Sequence, residues 1–144
     1  MITNDKNLEM VREFNERFEH KTPNRMLRLD NMSDKVLAIF RHGLIAEEAQ
    51  ELIEAIGKGD QVEMLDALCD LQYVLDGMFL VLGLAGVKDA AMNEVHRSNM
   101  SKLDKNGHPI FREDGKIMKG ENYSPPDLKT VLSKYLQDNL QNPL

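Results

Sequence analysis

From Asp60 to Leu82 the chain is apolar around nearly the whole circumference of a helix, except for one acidic stripe. At about 100° per residue and with Asp66 as origin, Asp70 lies at about 40°, Glu63 at about 60°, Gly77 at about 20° and Tyr73 at about 340°. Met64, Leu65, Leu68, Leu71 and Leu75 occupy much of the remainder. A helix this apolar belongs in an interior. Acids drawn inward with it repel one another and cost free energy unless something positive joins them.

The preceding segment repeats the pattern. With Leu44 as origin, Leu37 falls at about 20°, Phe40 at about 320°, Glu48 at about 40° and Glu51 at about 340°. Glu48 and Glu51 therefore share a sector with apolar side chains. On one helix, Glu47, Glu48, Glu51 and Glu54 read more simply as a solvated face. Two successive helices with acids three or four residues apart do not, and Asp is a poor helix former that recurs mid-helix at Asp66 and Asp70. An all-oxygen donor set suits a hard cation, Mg²⁺ or Mn²⁺. None of His20, His42, His96 and His108 lies three residues after a glutamate. That spacing excludes the di-iron helical bundles, which use it. Tyr73 and Phe79 read as core residues. Cys69 reads as a small buried residue without a chemical role.

These segments sit in a helical chain. Leu8, Val11, Phe14 and Phe18 predict a helix over about 7–20. Ser33 is the expected N-cap of a second helix over about 34–56, ending at Gly57. Asp60, with Glu63 three residues on, caps a third helix that reaches Leu82 and stops at Gly83. A fourth spans about 88–101. Beyond Leu103, Asn106-Gly107 and Asp114-Gly115 flank short apolar pairs, which predicts a small hairpin or ordered loop. Pro125-Pro126-Asp127 then opens a short helix over about 128–140. The expected fold is all-α, a single domain over 1–144. It has a four-helix-bundle-like core over about 7–102 and an irregular C-terminal arm over about 103–144.

Composition narrows the partners. The 144 residues carry 18 Lys+Arg against 24 Asp+Glu, a net charge of -6, which argues against binding nucleic-acid backbones. No stretch reaches the roughly 18 apolar residues of a membrane span. The N-terminal decapeptide has no apolar run, so no secretory signal is expected. With a lone cysteine, this points to a cytoplasmic location.

Four stretches in order resemble the all-α nucleoside triphosphate pyrophosphohydrolases, the superfamily of MazG-like proteins, dimeric dUTPases and phosphoribosyl-ATP pyrophosphohydrolases. They are Glu47-Glu48-Ala49-Gln50-Glu51; Asp66-Ala67-Leu68-Cys69-Asp70; Glu94 to Lys102; and Asp114 to Gly120 with Tyr123 and Pro125 to Leu128. The second departs from the Glu-x-x-Asp of many MazG proteins at Ala67. Asp66, one turn before Asp70, stands in for the missing acid, with Glu63 as a further contributor. The resemblance implies a MazG-type core and Mg²⁺-dependent hydrolysis of a (d)NTP to a monophosphate and pyrophosphate. It implies Glu48, Glu51, Asp66 and Asp70 as metal ligands and Glu47 as the base for water. Asn99, Lys102, Arg97 and Lys116 become substrate contacts, while His96 is divided evenly between packing and ligand contact. The rival readings are a phosphoribosyl-ATP pyrophosphohydrolase and a non-catalytic helical dimerisation module. Helices this apolar also predict a homodimer or homotetramer.

Overall fold

The structure, a computed structural model, describes residues 5–141; part of the N-terminal stretch read for a secretory signal lies outside the described residues. Among the described residues there are five α-helices and no β-strand, so the chain is all-α. Contacts divide it into two compact units, Met1–Gly86 and Val87–Leu144. The division precedes the fourth helix, whereas the sequence places its core–arm boundary after it.

The first unit contains α1 (Lys6–Arg17), α2 (Met32–Lys58) and α3 (Gln61–Val81). Asp5 caps α1, accepting hydrogen bonds from the backbone N–H groups of Asn7 and Leu8 at 3.1 and 3.2 Å. Leu8 and Val11 carry α1 onto α3, where they form a buried cluster with Leu80, and Tyr73 and Phe79 pack against it as expected. The N-cap of α2 is Asn31 and not Ser33, because the Asn31 carboxamide reaches the N–H groups of Ser33 and Asp34. Asp34 is thereby placed in the first turn, buried, where Arg25 grips it through two hydrogen bonds of 2.7 and 2.9 Å. The helix runs through Gly57 and ends at Gly59, whose φ of 71° only glycine adopts cheaply. Asp60 N–H then donates to Ala55 O, closing a Schellman-type end. The side chain of Asp60 caps α3, as its position predicts. So short a connection makes α2 and α3 an antiparallel hairpin. Gly83 has a φ of 71°, and a Cβ there would strike the carbonyl of Arg25. The α1–α2 connection therefore closes over the end of α3, where Leu27 N–H donates to Leu82 O.

One expectation fails here. Cys69 is exposed, not buried, and so are Val62 (78%), Leu65 and Leu68 beside it. The apolar circumference of α3 exceeds what α1 and α2 cover, so this face stays open in a single chain.

The second unit pairs α4 (Lys88–Met100) with α5 (Leu128–Gln141). Between them the arm is ordered by side chains. Asp104 accepts from the backbone of Asn106 and His108 at 2.8 Å each, and Asp114 holds Arg112 and the Lys116 N–H. The expected hairpin shrinks to one antiparallel bridge, Phe111 with Ile117. Glu94 ties the helices together, binding Arg97 twice at 2.8 Å and the Asp127 N–H at 2.8 Å.

Candidate functional site

The α2–α3 hairpin gathers the acids. Glu48 is half-buried, and its Oε2 is buried with no hydrogen-bond partner among the described residues. Burial pushes its carboxyl above the usual range, and the charges of Glu51, Asp70, Glu47 and Asp66 push it further. The four acids from two helices are thus electrostatic neighbours of a fifth. Glu51 and Asp66 line one cleft of about 340 Å³, together with Glu54, Lys58 and Glu63. Glu48 and Asp70 line a second, of about 350 Å³, which extends to α1. Among the described residues, no three Asp, Glu, His or Cys side chains already converge on one point as an ion's ligands do. What is built is the concentration of charge. Glu63 does not complete a capping box; its carboxylate turns to Lys58 at 3.3 Å. Glu47 is exposed on α2, next to Glu48.

An excess of negative charge with an orphaned carboxylate oxygen fits a divalent cation. Glu48, Glu51, Asp66 and Asp70 offer oxygen donors alone, the set that Mg²⁺ and Mn²⁺ prefer.

The second cleft contains residues that the sequence did not single out. Arg41 is 6% exposed and Asn15 is 0% exposed. The guanidinium NH2 of Arg41 donates to Asn15 Oδ1 at 3.2 Å and lies 3.4 Å from His20 Nδ1. Desolvation lowers the pKa of Arg41 from its ordinary value. Gly77 makes room for it, since a Cβ there would stand 3.3 Å from Arg41 NH1. Phe14, Phe40 and Tyr73 complete the wall, with the Phe14 ring edge-on to Tyr73 at 5.8 Å. A signal was available, because the wheel that puts Glu48 at about 40° puts Arg41 at about 60°. Asp76 is also fully buried, and Gln72 donates to it at 2.9 Å.

The remaining candidates lie in the second unit. Lys102 Nζ donates to Asn99 Oδ1 at 2.9 Å, so these two act as a pair. Arg97 is committed to Glu94 and also donates to the Pro125 carbonyl at 3.1 Å. His96 and Lys116 are exposed.

Comparison with known proteins bears on the family. An uncharacterized protein of Acanthamoeba polyphaga mimivirus is 30% identical over 132 residues, which cover 89% of this chain and 48% of the viral one. The chain thus spans about half the length of that curated relative. A solved structure of a candidate NTP pyrophosphohydrolase from Exiguobacterium sp. 255-15 covers 95% of this chain, and 99% of its own chain is matched. The two superpose with a TM-score of 0.32 at 22% identity. The family model described as phosphoribosyl-ATP pyrophosphohydrolase matches residues 11–99, which take in all of α2 and α3 and their acids. By that match, over more than half its length, the chain belongs to the phosphoribosyl-ATP pyrophosphohydrolase family.

Proposed function

We propose that this chain is a divalent-metal-dependent pyrophosphohydrolase that cleaves a nucleoside triphosphate between its α- and β-phosphates. The observation that carries this reading is the raised, half-buried Glu48 carboxyl among four further acids, with one oxygen unpartnered. Glu48, Glu51, Asp66 and Asp70 are the proposed ligands of Mg²⁺, for which Mn²⁺ can substitute. When bound, the ion neutralises charge on phosphate oxygens and makes water more acidic.

The chain's own groups do the rest. Glu47 orients the attacking water and takes its proton at a carboxylate oxygen. Asn99 and Lys102 bind phosphate as a donor pair, with Lys116 as a further cation. Arg97, expected as a substrate contact, is a further proposed one; its guanidinium also binds Glu94 and the Pro125 carbonyl.

The family match favours a second substrate reading, phosphoribosyl-ATP, on the same chemistry. A second copy of the chain is proposed to cover the open apolar face of α2 and α3. The test is a screen for pyrophosphate release across NTPs, dNTPs and phosphoribosyl-ATP with Mg²⁺ and Mn²⁺. Metal-dependent release identifies the substrate. Absence of both metal binding and turnover leaves the non-catalytic dimerisation module.

A further inference from the structure

The cleft shared by Glu48 and Asp70 has a far wall that phosphate chemistry does not use. There, Asn15 Nδ2 and Arg41 Nε are both buried donors without a partner among the described residues. The orientation of Asn15 is not free. An arginine can only donate, so the Asn15 atom facing Arg41 NH2 must be its oxygen, and Nδ2 is left as the spare end. Flipping the amide would set donor against donor. Around these groups stand the rings of Phe14, Phe40 and Tyr73. The space, about 350 Å³, lies within the range of small-molecule sites.

An occupant that satisfies this wall is flat and apolar in body and carries hydrogen-bond acceptors on its edge. A bare phosphate meets the arginine but gains nothing from the rings. A nucleobase meets all three demands. We infer that this cleft is the base subsite, and that Asn15, held by Arg41, selects bases with a carbonyl oxygen at the contacted edge over bases with an exocyclic amine there. Uracil, thymine and hypoxanthine are accepted; cytosine and adenine are disfavoured, because their amine would face Nδ2 donor to donor. This rests on the pyrophosphohydrolase reading for what the base is attached to.

The test uses nucleosides, which lack phosphates and need no metal, titrated calorimetrically into the full chain. Uridine and inosine should bind at least about tenfold tighter than cytidine and adenosine, the size of effect that one mismatched hydrogen bond produces. Asn15→Asp keeps an acceptor for Arg41 and turns the spare donor into an acceptor, so the order should invert towards cytidine and adenosine. Phe40→Ala, at a residue 57% exposed, should weaken all four without changing their order. Equal affinities, no saturable binding, or an order untouched by Asn15→Asp would overturn the inference. Nucleoside selection without pyrophosphate release from any triphosphate keeps this subsite and removes the enzymatic reading. Release without nucleoside selection does the reverse.

Discussion

Carboxylates do opposite work in the two units. In the α4–α5 unit Glu94, Asp104, Asp114 and Asp127 are each held below their ordinary pKa by hydrogen bonds. Glu94 is brought to about 2 by Arg97 and the Asp127 N–H. In the α2–α3 hairpin Glu48 moves the other way, pushed up by burial and by like charges. Acids that are matched by donors are part of the fold. An acid whose pKa is raised by burial and by like charges, as at Glu48, opposes the fold, and it is tolerated where something outside the chain completes it. Asp34 shows that this is not a property of the first unit as a whole: Arg25 and the Arg28 N–H lower its pKa too. Among the described residues, it is at Glu48, in the hairpin seam, that a carboxyl is pushed up.

The strongest way to break this contrast is to remove an acid from the seam. Asp70→Ala or Glu51→Ala should reduce pyrophosphate release by a factor on the order of 10²–10³, the scale of losing charge stabilisation at a developing phosphate. The helical circular dichroism should be unchanged. Near-normal rates in both variants would show that the seam is ordinary surface charge.

A pH titration sharpens the comparison, because the two units should respond with opposite sign. A carboxyl lowered in the folded state stabilises it above the unfolded pKa, about 4.3 for Glu, and that contribution is lost as pH falls through the folded value. Glu94 should therefore loosen the α4–α5 pairing as pH drops from about 4 towards about 2. Glu48, raised, behaves in reverse: metal-free stability is highest below the unfolded pKa and declines as pH rises through the folded one. In thermal melts without metal, Glu94→Gln should destabilise at pH 7 and be silent near pH 2. Glu48→Gln should stabilise at pH 7 and be silent below about pH 4. Identical pH profiles for the two variants would erase the distinction.

The seam was legible in the sequence because it is periodic. Glu48, Glu51, Asp66 and Asp70 recur at helical spacing, and periodicity is what a linear pattern preserves. The Asp60 cap was legible for the same local reason. Boundaries were less so: Asn31 and Ser33 are both good caps, and what decides is the Asn31 carboxamide reaching the N–H groups of Ser33 and Asp34. Gly57 and Gly59 compete likewise, and only the left-handed turn at Gly59 decides. The exposure of Cys69 reflects how much of α3 its neighbours leave uncovered, which no local pattern carries. Asn15 has no local signal, and Arg41 has only its place beside Glu48 on the wheel. Their contact spans 26 residues and exists only once α1 lies beside α2 and α3. The bond from Arg97 to the Pro125 carbonyl has no local signal for a similar reason, since it spans 28 residues.

The smallest effect tests whether Lys58, a cation beside the seam, matters. Lys58 lines the cleft of Glu51 and Asp66 and pairs with Glu63 at 3.3 Å, both side chains being more than half exposed. Exposed pairs of this kind contribute about 0–1 kcal/mol, so Lys58→Ala should barely shift the melting temperature. Its influence on an incoming cation is a different matter, because removing a positive charge from an acid-lined cleft lowers the repulsion that a divalent ion meets. Lys58→Ala should tighten Mg²⁺ binding by roughly two- to threefold at low ionic strength, and the gain should fade as salt shortens the Debye length to about 8 Å near 0.15 M. Calorimetric titration of Mg²⁺ at two salt concentrations measures it. A variant that binds Mg²⁺ more weakly than the parent would mean that Lys58 orders the seam, and that the hairpin, like the second unit, depends on matched charge.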